Sequence, residues 1–238
     1  MKLTNKKIVI IGGSSGIGLE TAKLAAKQGA EVVIAGRSEE KLQQAKAEIG
    51  SEVTTYSLDF TIEKEVQAFF YKIGKLDSLV VTAGIATYGN FLETDTAQDR
   101  QLFDGKFWGQ YHAAKYAAPN LPEDGSITLF SGVVAFKAME GASALGAVNA
   151  AISSLGQTLA LELAPIRVNV VSPGVIDTPS RYGMPEEERK AFYDAIAEQL
   201  PLNRAGQPED VAEGVIYLLR NHFSTGEILH VEGGHRLI

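Results

Sequence analysis

Short apolar runs alternate with segments of helical period along nearly the whole chain. Because these runs are apolar on both faces, they are typical of strands in a parallel sheet covered by helices on both sides. The helical spacing predicts helices at 18–28, 38–49, 61–73, 96–118, 142–164, 185–200 and 208–220. The predicted strands are KIVIIGG, EVVIAG, EVTTYSLD, SLVVTAG, SITLFSG, RVNVVSPG and EILHVEGG. We therefore predict an α/β fold with a single doubly wound, seven-stranded parallel sheet.

No change of composition and no internal repeat divides the 238 residues, so we predict one domain over 1–238. The stretch Asp177–Leu202 is polar and carries three prolines. Doubly wound sheets bind ligands beyond the carboxyl ends of their strands. We expect the stretch 177–202 to form a lid insertion over that edge.

The charge balance narrows the possible partners. Lys plus Arg total 22 and Asp plus Glu total 29, which gives a net charge of −7. This acidity argues against a nucleic-acid partner, which requires a basic surface, and against an anionic membrane surface. The chain has no cysteine. Thiolate catalysis and cysteine-based metal centres are therefore excluded, and the four histidines do not have metal-ligand spacing, so no metal site is predicted.

The N-terminal sequence MKLTNKKIVIIGG contains too few consecutive apolar residues for a signal peptide, which needs about 7–15. The apolar segment 142–164 is interrupted by polar residues, whereas a membrane helix needs about 18 apolar residues or more. We expect a soluble cytoplasmic protein without a membrane partner.

A glycine-rich turn follows the first predicted strand. Gly12, Gly16 and Gly18 have the spacing G-x-x-x-G-x-G and open the first helix of a βαβ unit. Glycines at such a turn let the backbone approach a pyrophosphate at the helix N-terminus. The turn predicts a dinucleotide site in a Rossmann-type fold.

The end of the second strand discriminates between the two nicotinamide dinucleotides. Sites specific for NAD place a carboxylate there to bind the ribose 2′-hydroxyl. Gly36 takes that place here and Arg37 follows. A guanidinium binds a 2′-phosphate through two hydrogen bonds, whereas a carboxylate repels it. We therefore predict NADP(H); the alternative is that Arg37 is a solvated loop residue.

Motifs along almost the whole chain resemble those of the short-chain dehydrogenase/reductase family. They are the glycine turn 12–18, Asp59, Ala83–Gly84, Arg167–Val168–Asn169, Ser172–Pro173–Gly174, Thr178 and the sequence VEGG at 231–234. The resemblance implies that Asp59 contacts the adenine. It also implies that Pro173, Gly174, Val175 and Ile176 hold the nicotinamide amide and that Thr178 helps with the phosphates. The expected cofactor-binding residues are Gly12, Ser14, Ser15, Gly16, Ile17, Gly18, Arg37, Ser38, Asp59, Phe60, Ala83, Gly84, Ile85, Lys106, Pro173, Gly174, Val175, Ile176 and Thr178.

The family's Asn-Ser-Tyr-Lys tetrad is not matched. Alignment by flanking residues places the Tyr position on Leu145, the Lys position on Asn149, the Ser position on Gly132 and the Asn position on Lys106. In the family, Tyr transfers a proton to or from the substrate oxygen and Lys lowers the pKa of that Tyr. Leu145 cannot transfer a proton. The resemblance therefore implies the family's fold together with a non-standard active site.

Lys106, Ser131 and Asn149 are the candidate catalytic residues. Since Lys and Asn have exchanged positions, we expect one cation and one amide near the nicotinamide ribose. The alternative for Lys106 is a lysine that points outward into solvent. The alternative for Ser131 is a hydroxyl whose sole role is to hydrogen-bond backbone groups at a strand end. Other candidates for the missing proton donor have simpler roles: solvated charges for Lys137 and Glu140, a helix cap for Ser143, and a cover over the pocket for Tyr182.

Two functions remain open. The first is an NADP(H)-dependent oxidoreductase acting on a small carbonyl, alcohol or related compound. The second is a catalytically silent NADP(H)-binding sensor or scaffold.

Helices 96–118 and 142–164 match the family's dimer surface, and the segment 231–238 ends apolar. We therefore expect a homodimer or homotetramer.

Overall fold

Seven strands form one parallel sheet in the computed structural model, which describes residues 3–238. The order across the sheet is β3-β2-β1-β4-β5-β6-β7. The strands are β1 (Lys7–Ile11), β2 (Glu31–Gly36), β3 (Thr54–Ser57), β4 (Ser78–Val81), β5 (Ser126–Phe130), β6 (Arg167–Pro173) and β7 (Ile228–Val231). This confirms the predicted α/β, doubly wound, seven-stranded sheet.

Residues 3–238 contain eight α-helices, several of which pack on the two faces of the sheet. They are α1 (Gly16–Lys27), α2 (Glu39–Ile49), α3 (Glu63–Ile73), α4 (Thr96–Phe103), α5 (Gly109–Ala117), α6 (Ser143–Glu162), α7 (Glu186–Gln199) and α8 (Pro208–Arg220). Alternate residues of β1 enter two separate cores. Val9 packs in the core built by α3, α5 and α6, and Ile8 packs in the core built by α1, α2 and α8. Burial on both faces explains why the strands are continuous apolar runs.

The strand order reverses beside β1, which lies between β2 and β4. The connections from β1 and β4 therefore leave toward opposite sides and open a crevice at the carboxyl edge of the sheet. Helix α1 begins at that crevice. The topology thus places the glycine turn where ligands of this fold bind.

The predicted helical stretch 96–118 is helical throughout, but it is not one regular α-helix. Helix α4 ends at Phe103, a π-helical turn follows at Asp104–Trp108, and α5 begins at Gly109. A π-helical turn closes its hydrogen bonds over one more residue than an α-helix, and such turns are frequent at functional sites. Lys106 lies in the middle of this turn, so the irregularity displaces a predicted site residue from the ordinary helical path.

One described helix, α6, is long and apolar enough to cross a membrane by length and composition alone. The polar residues that interrupt the segment 142–164 therefore do not by themselves exclude a membrane-spanning helix, although the sequence analysis expected them to. Leu145, Val148 and Ile152 on one face of α6 are buried in the core. Core helices of globular proteins pass the same length test, and the packing of this face explains the apolar character of α6.

The segment 177–202, predicted as a lid, contains a 3₁₀ turn at Pro179–Arg181 and helix α7. Its N-terminal end is fixed by two backbone hydrogen bonds, from Asp177 N to Gly206 O (2.9 Å) and from Gly206 N to Val175 O (3.0 Å). At the other end Pro201 packs against Gly234, where a side chain would come within 2.7 Å of the proline ring. The segment is therefore anchored at both ends.

A buried guanidinium holds the C-terminus of α8, which packs beside α1. Arg167 Nη1 donates to Leu218 O at 2.8 Å and to Ser224 O at 3.3 Å, and the side chain is buried. Burial lowers the pKa of Arg167. The cation satisfies carbonyls that a helix end leaves without partners, and it complements the negative end of the helix dipole.

We expect Arg167→Met to lower the free energy of unfolding by about 2–4 kcal/mol, because buried carbonyls would lose a charged donor. Urea unfolding measures the change. Arg220→Met on the exposed end of the same helix is the matched control and should change stability by less than about 0.5 kcal/mol. Equal effects of the two substitutions would contradict a capping role for Arg167.

Candidate cofactor and active site

The glycine turn after β1 is packed directly against the end of β4. A side chain at Gly12 would come within 2.6 Å of Ala83 N and Thr82 Oγ1, and a side chain at Gly18 would overlap the Gly12 carbonyl. Gly12 and Gly16 have φ values of +92° and +51°, which favour glycine. Glycine thus meets both requirements of the turn: the absence of a side chain where the backbone is close, and a positive φ.

Helix α1 begins at Gly16 with its first N–H groups directed beyond the strand ends. Its N-cap residue Ser15 makes no side-chain capping bond, and the first turn contains no acidic residue. The first N–H groups of a helix have no partner within it, and they attract anions. This end of α1 suits a phosphate group.

A cleft of about 540 Å³ opens over the glycine turn and the ends of β2 and β4. Most of the predicted cofactor-binding residues line it together. These are Gly12, Ser14, Ser15, Gly16, Ile17, Gly18, Arg37, Phe60, Ala83, Gly84, Ile85 and Thr178. Thr178, from the start of the lid segment, closes the cleft over the turn, since a side chain at Gly16 would meet its Cβ at 3.4 Å.

The β2 side of the cleft is basic and lacks a carboxylate. Arg37 is exposed at the cleft wall, and none of the ion pairs within residues 3–238 includes it. Gly36 leaves space beside Ser14, whose Oγ would lie 3.4 Å from a Cβ at 36. The wall therefore offers a guanidinium and open space to a negatively charged group.

Several predicted cofactor residues do not line this cleft. Ser38 accepts a hydrogen bond from Lys41 N and caps α2. Asp59 accepts hydrogen bonds from Thr61 N (3.0 Å) and Thr61 Oγ1 (2.7 Å), and so shapes the turn before α3.

The residues after β6 are also held by local structure. Gly174 N donates to Val231 O, and the nearby Pro173 ends β6. Val175 and Ile176 line a smaller pocket of about 170 Å³ beside the end of β7. The predicted contact of this turn with a nicotinamide stays a prediction.

Lys106 points into the molecule and not into solvent. Its stem crosses the backbone of Gly84, where an added Cβ would lie 3.3–3.7 Å from the lysine Cγ, Cδ and Cε. Its Nζ donates to Ser131 O at 3.3 Å. Burial lowers the pKa of Lys106 to about 8. The ammonium therefore lies between the cleft wall at Gly84 and the end of β5.

The end of β5 is itself fixed by α5. Gln110 Nε2 donates to Phe130 O at 2.9 Å, and Phe130 N donates to Gln110 Oε1 at 2.7 Å. This buried pair of hydrogen bonds sets the position of Ser131, the next residue along the chain. The carbonyl that Lys106 contacts is consequently held on a rigid element.

The hydroxyl of Ser131 faces α6. Ser131 Oγ donates to Asn149 O at 2.8 Å, and Ser153 Oγ donates to Ser131 Oγ at 2.9 Å. Ser131 and Ser153 are both buried. The geometry favours the alternative in which the Ser131 hydroxyl satisfies backbone groups, because its proton is already donated.

The Asn149 side chain occupies the space beside Gly132. A Cβ at 132 would lie 2.8 Å from Asn149 Nδ2, so a larger residue there requires the amide to move. Asn149 is buried, and its Oδ1 has no hydrogen-bond partner within the described chain. A buried amide oxygen usually has a partner, which identifies this atom as a place for a polar group of a ligand or a water.

The remaining candidates for a proton donor are not brought together. Leu145, at the position of the family's Tyr, is a residue of α6 and is buried in the core, so it supplies no donor. Ser143 is the first residue of α6 and does not cap it, so that expectation was wrong; the N-cap is Ala142, which has no hydroxyl. Glu140 is exposed and Lys137 only partly so. Tyr182 is 59% exposed, with the Arg189 guanidinium 4.7 Å above its ring.

The sequence-based prediction missed part of the cleft wall. All of them except Gln101 lie within two positions of a predicted residue along the chain, which was the available signal. They are Ile11, Gly36, Leu58, Thr61, Thr82, Gln101, Asp104, Gly105, Pro179 and Ser180. Within residues 3–238 no group of three or more acidic or histidine side chains could hold a metal ion.

Comparison with known proteins agrees with this arrangement. The family model described as enoyl-(acyl carrier protein) reductase matches residues 12–236. Carbonyl reductase family member 4 of Xenopus tropicalis is 34% identical over 240 residues, covering 98% of each chain.

Two solved structures are similar over nearly their whole length. One is a small-chain dehydrogenase in complex with NADPH, with 36% identity, a TM-score of 0.88, and coverage of 98% of this chain and 100% of the other. The second is ElxO with NADP bound, with 30% identity, a TM-score of 0.89 and full coverage of both chains. With the family model, these matches cover the glycine turn, the cleft and the strand ends that form it, and the chain belongs to the short-chain dehydrogenase/reductase family.

Proposed function

We propose that the protein is an NADP(H)-dependent oxidoreductase with a non-standard active site. The observation that carries the proposal is the cleft at the carboxyl edge of the sheet, with the start of α1 on one side and Arg37 beside Gly36 on the other. Two solved relatives are complexes with NADPH and NADP. A relative named carbonyl reductase supports a small carbonyl, alcohol or related compound as substrate.

The residues present fit the dinucleotide. Gly12 and Gly16 let the backbone approach a pyrophosphate, and the N–H groups at the start of α1 suit its charge. Arg37 suits the 2′-phosphate because it has no competing ion pair within the described chain. The bound cofactor would supply the hydride.

Lys106 is our proposed replacement for the missing tetrad. Its ammonium comes within 3.3 Å of Ser131 O, next to Gly132, the position where the family has its serine. With a pKa of about 8 it is mostly protonated at neutral pH but gives up its proton more readily than an exposed lysine. Asn149 Oδ1, buried and without a described partner, offers an acceptor on the opposite helix.

The second candidate function is a catalytically silent NADP(H)-binding sensor or scaffold. One observation favours it: the Tyr position is a buried leucine, Leu145, and the hydroxyl of the candidate Ser131 is bonded to Asn149 O. NADPH oxidation against a panel of ketones, aldehydes, quinones and imines discriminates the two functions. A silent protein would bind NADPH and oxidise it with none of them.

We also propose a homodimer or homotetramer. Trp108 is 45% exposed within a row of aromatic rings on α5 and the π-helical turn, and α6 presents Ala147 and Ala150 to solvent. The C-terminal Leu237 and Ile238 are also exposed in the single chain. These apolar surfaces suit a subunit contact.

We expect NADPH to bind at least about tenfold more tightly than NADH, a difference of about 1.4 kcal/mol, because Arg37 pairs with the 2′-phosphate. Arg37→Ala should remove most of the difference. Fluorescence titration with each cofactor measures it, and Arg220→Ala, on the far end of α8, is the control. Equal affinities of the parent protein for NADPH and NADH would refute the NADP(H) assignment.

We expect Lys106→Ala to weaken NADPH binding or abolish turnover, and Lys106→Arg to preserve binding better than turnover. Because the protonated form is required, activity should decline as the pH rises through about 8. Steady-state kinetics and cofactor titration measure both effects, with Lys64→Ala on the exposed face of α3 as the control. The role of Lys106 is ruled out if affinity and turnover both stay unchanged in Lys106→Ala.

We expect light scattering at micromolar concentration to give the mass of a dimer or tetramer. Trp108→Glu should shift the population toward smaller species, because a charge would enter an apolar contact. Tyr71→Glu, at a tyrosine that is 92% exposed on α3, is the control. A monomeric parent protein would overturn the assignment.

A further inference from the structure

Helix α7 of the lid segment brings a tyrosine hydroxyl to the turn after β6. The Tyr193 hydroxyl donates to Ile176 O at 3.4 Å. The resemblance to the family implies that Ile176 holds the nicotinamide amide. On the basis of the proposed function, we propose that Tyr193 gives the substrate oxygen the proton that Leu145 cannot give, while the Lys106 ammonium supplies positive charge.

The backbone of Ile176 faces away from the rest of the sheet edge. Val175 O accepts a hydrogen bond from Gly206 N at 3.0 Å, and Asp177 N donates to Gly206 O at 2.9 Å. Because Ile176 lies between these two residues in a parallel bridge with Gly206, its own N–H and C=O point to the opposite side. A donor and an acceptor side by side suit a carboxamide, which agrees with the role that the resemblance implies.

Two donors from the lid segment occupy the Ile176 carbonyl. Arg181 Nη1 and the Tyr193 hydroxyl each donate to Ile176 O at 3.4 Å. A carbonyl oxygen has two lone pairs, so a carboxamide N–H that bonds to this oxygen competes with both donors. Both bonds are long, and long hydrogen bonds are weak. A Tyr193 hydroxyl displaced from Ile176 O keeps its proton and stays beside the turn that the resemblance assigns to the nicotinamide.

The packing of α7 allows its tyrosine to move. The helix has no buried residue. Its contacts with the start of the lid segment include the Arg181 guanidinium, 5.0 Å above the ring of Phe192, whose own ring lies 5.3 Å from that of Tyr193. Segments with few buried apolar contacts move at low energetic cost. Since residues 178–180 line the cofactor cleft, the Tyr193 hydroxyl lies beside the part of the lid segment that faces this cleft.

The surroundings of Tyr193 suit a proton donor. Burial raises the pKa of Tyr193, and the nearby Arg181 guanidinium opposes that effect. The phenol is therefore protonated at neutral pH, as a general acid must be, and Arg181 stabilises the phenolate that remains after transfer. Ser131 differs, because it is buried and gives its proton to Asn149 O in a shorter bond of 2.8 Å.

The proton and the charge come from different residues in the proposed reaction. The carbonyl carbon of the substrate accepts a hydride from NADPH, and the electron pair of the C=O bond moves to oxygen. That oxygen bonds the Tyr193 proton, and the O–H bond of Tyr193 breaks to leave a phenolate. Water returns a proton to the phenolate, while the Lys106 ammonium keeps its own proton throughout.

The first test locates Tyr193 without turnover. Hydroxyl-radical labelling of the full-length protein, analysed by mass spectrometry, compares saturating NADP⁺ with saturating 2′-phospho-ADP-ribose, which lacks the nicotinamide. We expect NADP⁺ to change the labelling of Tyr193 at least about twofold and the fragment to leave it unchanged, because only the nicotinamide competes for Ile176 O. Tyr71, 92% exposed on α3, is the control. Equal labelling of Tyr193 with both ligands would overturn the inference.

The second test removes the hydroxyl and keeps the ring. Acetophenone and 2,2,2-trifluoroacetophenone are reduced with NADPH; the fluorines make the product alkoxide a weaker base, which depends less on a proton donor. We expect Tyr193→Phe to lower kcat at least about a hundredfold for acetophenone and less than about tenfold for the fluorinated ketone. The affinity for NADPH, measured by fluorescence titration, should stay within about twofold, and Tyr71→Phe should change neither quantity.

Other outcomes overturn the inference in distinguishable ways. Equal losses on the two ketones would mean that Tyr193 has a structural role. Full activity of Tyr193→Phe, or a loss found in Tyr88→Phe in its place, contradicts Tyr193 as the donor and leaves the oxidoreductase function standing. NADPH binding without reduction of either ketone by the parent protein also overturns the inference and favours the silent protein. Failure to bind NADPH contradicts the proposed function itself.

Discussion

The close contact between the turn after β1 and the end of β4 is the constraint on which the site depends. Gly12 and Gly18 have no room for a side chain, because the hydroxyl of Thr82, the backbone of Ala83 and the Gly12 carbonyl fill the space. This contact fixes where α1 begins, and so where its unpaired N–H groups meet a phosphate. It also fixes the backbone of Gly84, against which the stem of Lys106 lies. The same backbone contact therefore positions both the cofactor cleft and the candidate catalytic lysine.

A second principle of the site is that buried polar groups are kept at a cost to stability. Lys106 has a pKa of about 8, so the folded state holds its proton less tightly than the unfolded state does. Between about pH 8 and the ordinary lysine pKa of 10.5, this residue makes the fold more stable as the pH rises. At lower pH the buried ammonium costs folding free energy. Asn149 adds a buried oxygen without a described partner. Groups of this kind are typical of sites whose partners arrive with the ligand.

The sheet, its helices and the glycine turn could be predicted from the sequence, because apolar runs and glycine spacing are local signals. Arg37 could be placed at the cleft because it follows a strand end directly. The π-helical turn at 104–108 could not, since the helical spacing of apolar residues does not distinguish a π-helical turn from an α-helical one. The direction of the Ser131 hydroxyl also escaped prediction, because it is decided by the carbonyl of Asn149 on a distant helix. Propensity and spacing do not report contacts made only in the tertiary structure.

The contact between Gly132 and Asn149 restricts how this sequence can change over evolutionary time. A serine at 132 would bring its Cβ within 2.8 Å of Asn149 Nδ2, so the amide at the end of that side chain would have to move. A lysine at 149 would in turn add a second ammonium to a region that already holds Lys106, and like charges repel. Two of the steps toward the family's usual residues thus depend on residues already present: serine at 132 on Asn149, and lysine at 149 on Lys106. The energetic cost of either substitution therefore depends on which residue already occupies its partner position.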